Sequence, residues 1–332
     1  MIRHLCGFER EGLAVLFERL RPAMSAAWPH SPHMSDDLKA NSKHSTLEFR
    51  LFVVLFWLRT GTPRRTCEFI FGWSHQTISG WIDTIIDIMC RELKEFREFP
   101  SFDTQRDMAL EHQTFVGMKF DPSVMHTYHL RINFERKDGD PLKSFNGAFG
   151  AIDGTYTVCC RFPNDIQEQM YTGYKKFHAY KLVVICSLFT KAIIAVSIAP
   201  GRVSDVLTFD TDRGLWNKIA PGHVLLGDDA FTGRDDVVSP FTTAQINCIS
   251  GVDVRLGARM RSWNQAHSSN RVAVEHVIGR MKQWACIRGT SKYRQFKEHD
   301  TFVKIVQVVH SLTNADTCGF DVMRLFTSRV QN

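Results

Sequence analysis

The sequence predicts an α/β protein in which a mixed sheet flanked by helices fills the second half of the chain and an all-α helix-turn-helix region precedes it. Two patterns predict this. Apolar residues recur at helical spacing between capping signals from residue 45 to 95, and short runs rich in β-branched and aromatic residues follow from residue 148 to 228. The 332 residues, 44% hydrophobic and 23% charged, are enough for two or three cores.

In chain order, residues 1–44 have weak periodicity and read as a helical extension without a functional signal. From Ser45, STLEFRLFVVLFWLRTG reads as a buried helix ending at Gly61, and TPRRTCEFIFG as a second helix with Pro63 at its first position and Gly72 at its end. A third helix is capped by Ser74; Ile78, Trp81, Ile82, Ile85 and Met89 share one face and leave Gln76, Ser79 and Asp83 outward. Helix, short glycine-containing turn and helix is the layout of a helix-turn-helix over 45–95, whose last helix can enter the major groove of double-stranded DNA through Gln76 and Ser79. Six basic residues are balanced by six acids over that span, which equally suits a structural or partner-binding bundle. Residues 96–144 read as an irregular linker.

A mixed α/β domain is expected over 145–315, with 316–332 as a tail. AFGAID, FHAYKLVVICSLF, AIIAVSIAP and HVLLGD read as strands. A helix over VLTFDTDRGLWNKIA, started by Ser204-Asp205, is expected between the last two. An irregular stretch to about Arg261 then leads to a long helix, SSNRVAVEHVIGRMKQWACIRG, capped by Ser268 or Ser269 and stopped at Gly289.

Three acids hold telling places in this plan: Asp153 at the end of the first strand, Asp228 at the end of the later one, and Glu275 within the long helix. Divalent cations need hard oxygen ligands converging from different elements, and two such ions can clamp the attacking and leaving oxygens of a phosphodiester. Each acid also has a plainer reading. Asp153-Gly154 is a common hairpin pair, Asp228-Asp229 suits a loop cap, and Glu275 suits a surface ion pair. Glu275 lies with Arg271 and Lys282 on the margin of the face formed by Val274, Val277, Ile278, Met281 and Ala285. Moreover, Arg271 before Glu275 is the weaker order for a helical ion pair, which favours a ligand role.

The strings GAIDGT, YTGYKKFHAYKL, PGRVSD, LLGDDAF and NQAHSSNRVAVEHVIGRMK, spread over residues 145–290, together resemble the DDE transposases of the PIF/Harbinger group and their host-adopted relatives. The resemblance implies an RNase H-like catalytic domain, Mg²⁺ or Mn²⁺ as cofactor (two divalent ions), and nicking with strand transfer at transposon ends. It places the three catalytic, metal-binding acids on Asp153, Asp228 and Glu275, with Asp229 a departure from the usual small or polar neighbour. It also implies a homo-oligomer on DNA, a Myb-like partner protein and, in a eukaryote, a nuclear location, although the longest basic runs are only the pairs Arg64-Arg65 and Lys175-Lys176.

Charge adds to this reading. The net charge is +6, but Arg255 to Lys297 holds ten Lys or Arg against one acid, Glu275, which marks either a solvated face or a footprint for a polyanion. Lys175, Lys176, His178 and Lys181 on the second strand, with Arg271, Arg280 and Lys282 on the helix, are the candidates for holding the DNA backbone. The longest apolar run, Leu51–Leu58, is too short for a membrane span, and no secretory leader is read at the N-terminus. Nine scattered cysteines without CxxC suggest neither a disulfide framework nor a zinc ribbon. His126 and His129 lack a third ligand, and neither a phosphate loop nor a GxSxG elbow is present. Three readings remain: an active transposase or derived nuclease, a host-adopted DNA-binding or scaffold protein without cleavage activity, and an RNase H-like repair nuclease.

Overall fold

The computed structural model describes residues 2–29, 45–117, 147–159, 166–211, 215, 218–289 and 299–327. His126, His129, Lys292, Arg294 and Lys297 lie outside them. Helices open the chain: α1 (Ile2–Cys6), α2 (Arg10–Ala27), α3 (Leu47–Thr60), α4 (Arg64–Phe71), α5 (His75–Glu92), a 3-10 turn (Lys94–Arg97) and α6 (Phe102–Gly117). The expected local signals operate here. Ser74 accepts a hydrogen bond from Thr77 N at the start of α5, and Gly61 and Gly72 end α3 and α4 in the left-handed conformation. Pro63 is the cap of α4 rather than its first residue, and α3 is capped by Thr46, a signal not read from the sequence, which accepts from Phe49 N.

The first 29 residues are more than a loose extension. Leu16, Leu20 and Met24 of α2 are fully buried, and Arg50 of α3 lies 9% exposed between the rings of Trp28 and Trp81, at 4.7 and 5.5 Å. A guanidinium stacked in a core cannot serve as a phosphate contact. Weak periodicity concealed this packing because α2 has Pro22 inside it and only part of one face turned inward.

Then follow β1 (Ala148–Val158), α7 (Ile166–Met170), β2 (Tyr171–Thr172), β3 (Phe177–Ser187), β4 (Ile193–Pro200), α8 (Asp205–Thr211), β5 (Val224–Leu226) and β6 (Val237–Val238). Among the described residues they form one six-stranded sheet. β4, β3 and β1 are successive antiparallel neighbours; β5 joins β1 in parallel and β6 joins β5 in parallel, while β2 pairs with the start of β3. Such a mixed sheet flanked by helices is consistent with an RNase H-like plan.

Both sheet faces are covered, which explains why β3 is apolar nearly throughout rather than alternating. On one face Ala148, Ala151, Leu182, Val184 and Leu226 join the core shared with the N-terminal helices, α10 (Val254–Met281) and α12 (His299–Thr327). On the other, Phe149, Ile152, Val183, Ile185 and Leu225 pack against Met108 and Ala109 of α6 and Phe209 of α8. Residues 102–117 of the expected linker are therefore a covering helix. Its Gln105, fully buried, donates to Pro100 O and Lys218 O and accepts from Ala220 N at 2.9 Å.

The stretch after β5 is also more ordered than expected. A 3-10 turn (Asp229–Phe231) and α9 (Thr243–Val252) precede α10, whose cap is Asp253, accepting from Leu256 N at 3.0 Å. Ser268 and Ser269 lie inside this helix. The Ser269 hydroxyl donates back to Gln265 O, so it is satisfied without breaking the helix. The helix ends at Met281, a turn follows, and α11 (Ala285–Arg288) stops at Gly289, φ +64°, where a Cβ would fall 2.3 Å from Val158 N. The expected 206–220 helix begins as α8 (Asp205–Thr211), and Leu215 is helical, while residues 212–214 and 216–217 lie outside the described residues; α12 runs through residue 316 as a helix. Among the described residues no helix is long and apolar enough to cross a membrane.

Candidate active site

Asp153 does not end its strand. It lies within β1, two residues beyond Ala151, the last residue paired with β5, so its carboxyl projects where the parallel pairing stops. Gly154 continues the strand, which removes the hairpin-turn reading. The Asp153 Oδ1 accepts from Gly154 N at 2.8 Å and Oδ2 from Arg271 Nη1 at 3.2 Å. Burial pushes its pKa up; Arg271 opposes this without overcoming it, and the charge of Glu275 adds to the rise.

Asp228 follows β5 and Gly227, as expected, and caps the 3-10 turn by accepting from Ala230 N at 3.1 Å. Since β1 and β5 run parallel side by side, both aspartates emerge at the same edge of the sheet. Burial raises the pKa of Asp228, and the neighbouring charge of Asp153 raises it further. Asp229 is exposed.

Glu275 reaches the site from α10, which packs across β1. Its carboxylate, 48% exposed, is bonded by Arg271 Nη2. The Arg271–Glu275 pair, expected to be weak from its order along the helix, forms because Asp153 holds the other arm of the same guanidinium.

A fourth acid, Asp205, went unread as a site residue because Ser204-Asp205 has the form of a helix start, which it also is: Ser204 Oγ accepts from Leu207 N. Its carboxyl lies against the backbone of Gly154, where a Cβ would approach to 2.6 Å, and its charge adds to the rise at Asp228. Lys181 Nζ holds Asp205 Oδ1 at 2.5 Å and sits 4.7 Å from the Tyr156 ring centre. Burial works against the charged ammonium, but Asp205 and Tyr156 outweigh it and raise the Lys181 pKa. At 5% exposure, Lys181 is withdrawn from the expected DNA contacts; both faces of β3 are covered, so an inward position was concealed in the sequence.

The remaining candidates scatter. Lys175 and Lys176 are exposed in the turn between β2 and β3 rather than on the strand, Lys175 over the Tyr174 ring at 4.6 Å. His178 is half-buried beside Tyr171. Arg280 donates to Lys191 O at 2.5 Å, and Lys282 is half-buried with its pKa lowered by burial. Gln76 is exposed on α5, whereas Ser79 accepts from Arg64 at 3.2 Å beside Asp83, which Arg64 also approaches.

A divalent cation fits the chemistry of this cleft. Asp153 and Asp228 are hard oxygen donors, each burdened by the other's charge or by another carboxylate, and a cation would relieve both. The third arm is diverted to Arg271, and among the described residues no group of three or more His, Cys, Asp or Glu stands ready to hold a metal.

No curated protein and no solved structure matches the chain. Residues 152–314, which contain Asp153, Asp205, Asp228 and Glu275, match the family model described as DDE superfamily endonuclease, and this match suggests transposase-type nuclease activity for that segment.

Proposed function

We propose that the protein is a metal-dependent DNA endonuclease of the transposase type, of the PIF/Harbinger group, that cuts phosphodiester bonds at transposon ends and can join the freed strand to a target. The observation that supports this reading most is the meeting of Asp153 and Asp228 where the parallel pairing of β1 and β5 stops, each with its pKa raised by burial and by a further carboxylate. Asp153, Asp228 and Glu275 are assigned as ligands of Mg²⁺ or Mn²⁺. When bound, the ions supply positive charge for the oxygens that attack and depart from phosphorus.

The chain's own groups place the strand. Lys175 and Lys176 at the exposed turn, with His178, are assigned to the DNA backbone; Arg280 and Lys282 are assigned as flanking contacts along α10 and the turn after it. Lys181 keeps Asp205 and the Gly154 backbone in place behind Asp153. End recognition is assigned to Gln76, and to Ser79 once Arg64 turns to a phosphate. A homo-oligomer on double-stranded DNA, a Myb-like partner and a nuclear location complete the proposal.

The test is Mn²⁺-dependent nicking of duplex DNA carrying the ends of the parent element. Asp153→Asn, Asp228→Asn and Glu275→Gln should each lower the rate by at least about a thousandfold while DNA binding persists, and Asp229→Asn should cut normally. Wild-type cutting by Glu275→Gln would remove the helix from the catalytic set; loss of cutting in Asp229→Asn but not Asp228→Asn would shift the second ligand by one residue.

A further inference from the structure

Arg271 joins the two elements that a metal ion in this cleft would join. One guanidinium nitrogen donates to Asp153 on β1 at 3.2 Å and the other to Glu275 on α10. Its side chain is 18% exposed, so the guanidinium lies within the cleft rather than on its rim. Resting on the assignment of Asp153, Asp228 and Glu275 as ligands, we propose that Arg271 is the built-in counter-ion of the metal-free site. It holds Asp153 and Glu275 until a divalent cation displaces it, and the displaced guanidinium then pairs with a phosphate of the bound DNA.

Charge is the first support. Asp153, Asp205, Asp228 and Glu275 converge here, and Lys181 is committed to Asp205. Without Arg271, Asp153 would keep the opposing charges of Glu275 and Asp228 and lose the cation bonded to it, and neighbouring carboxylates repel. Exclusivity is the second. Arginine cannot shed its proton to make way for a metal, so an oxygen turned to its fork is withheld from the ion until the side chain moves. Geometry is the third. Arg271 before Glu275 is a weak order for an isolated helical pair, so the Glu275 arm depends on the Asp153 arm, and drawing Asp153 to a cation loosens both together. Finally, the planar fork that fits two carboxylate oxygens fits a phosphate equally well, and DNA is the partner at hand. Cation and DNA binding are thereby coupled: DNA that captures the guanidinium tightens the cation, and the cation tightens DNA by the same factor.

The experiment titrates Mn²⁺ alone into the full-length protein by calorimetry, with no DNA and no turnover, and records the melting temperature with and without the ion. Arg271→Gln should bind Mn²⁺ about tenfold tighter than wild type, melt lower when metal-free and gain more from Mn²⁺. Arg271→Lys, which keeps the charge but not the fork, should fall between and serves if the glutamine variant does not fold. Lys282→Gln removes a charge that influences Asp153 without a hydrogen bond to it and should change affinity less than about threefold. Adding duplex DNA should tighten Mn²⁺ in wild type more than in Arg271→Gln. Affinities in Arg271→Gln or Arg271→Lys equal to wild type, or a gain no larger than that of Lys282→Gln, overturn the proposal. Asp153→Asn separates the two levels. If it abolishes Mn²⁺ binding while the arginine variants match wild type, the ligand assignment stands and the counter-ion role fails; if wild type, Arg271→Gln and Arg271→Lys all fail to bind Mn²⁺, both fall.

Discussion

Asp228 accepts one backbone hydrogen bond and is influenced by two further carboxylates, a poor exchange for the water it leaves. Its folded pKa is raised by burial first and Asp153 second. A carboxyl whose pKa rises on folding favours the folded state at low pH, and this advantage is lost as pH climbs through the folded value. Asp228→Asn keeps an oxygen for Ala230 N and removes the charge. The metal-free variant should therefore melt above wild type at pH 7, with the gap closing as pH falls toward 4; thermal melts at both values check this. A lower melting point at pH 7 would show that the charge contributes a contact that the neutral amide cannot replace. Gly154 illustrates a different constraint on the same cleft: it lacks a side chain because the Asp205 carboxyl, fixed by Lys181, occupies the space a Cβ would need.

Among the elements, α12 is fastened by the fully buried side chain of Asn314. Asn314 accepts from Ile193 N at 2.7 Å and donates to Phe96 O and Ile193 O, tying the helix to β4 and to the 3-10 turn at once. Asn314→Leu preserves bulk but takes the acceptor from the buried Ile193 N–H and removes the donations to Phe96 O and Ile193 O, so it should cost roughly 3 kcal/mol, read from the urea midpoint. A loss under about 1 kcal/mol would mean that β4 re-pairs easily. The turn between β2 and β3 carries a prediction of another kind: Lys175→Gln with Lys176→Gln should flatten the salt dependence of DNA affinity by nearly two counterions, leaving the melting temperature unchanged. An unaltered slope would return both lysines to a solvated surface.

These elements also show what was readable in the chain. Strands were legible because their β-branched runs are short and bounded, and α3 to α5 because Gly61, Gly72 and Ser74 announce their ends. Asp228 was found at its strand end for the same reason. The start of α10 was missed because serines that cap one helix can equally lie inside another, as Ser269 does by bonding Gln265 O. The Asp205–Lys181 pair and the Asp153 arm of the Arg271 bridge went unseen because each depends on partners brought together by the sheet rather than by spacing along the chain: Tyr156 faces Lys181 only through the register of β1 and β3.

Over the whole molecule, helices and sheet share a continuous core, so acid should dismantle them together. His267 is buried against Val238 O and His310 against Ile193 O, and burial lowers each pKa to about 4. Their ordinary value of 6.5 means that the unfolded chain takes up protons first. The stability they carry is complete above about pH 6.5 and is lost as pH falls toward 4, on the order of 3 kcal/mol each at the limit. Replacing both by glutamine should lower stability at pH 7 yet flatten its decline between pH 6.5 and 4, as followed by fluorescence.

The place of α12 has a consequence for the making of the protein. Leu93, Phe96 and the helices before them find Phe302, Ile305, Val309 and Leu312 only after the whole sheet between them has been translated. Until then the nascent polypeptide presents an unfilled apolar face and cannot complete the scaffold behind the cleft of Asp153 and Asp228. A premature stop codon ahead of residue 299 would therefore silence the gene product even though Asp153, Asp228 and Glu275 had all been translated.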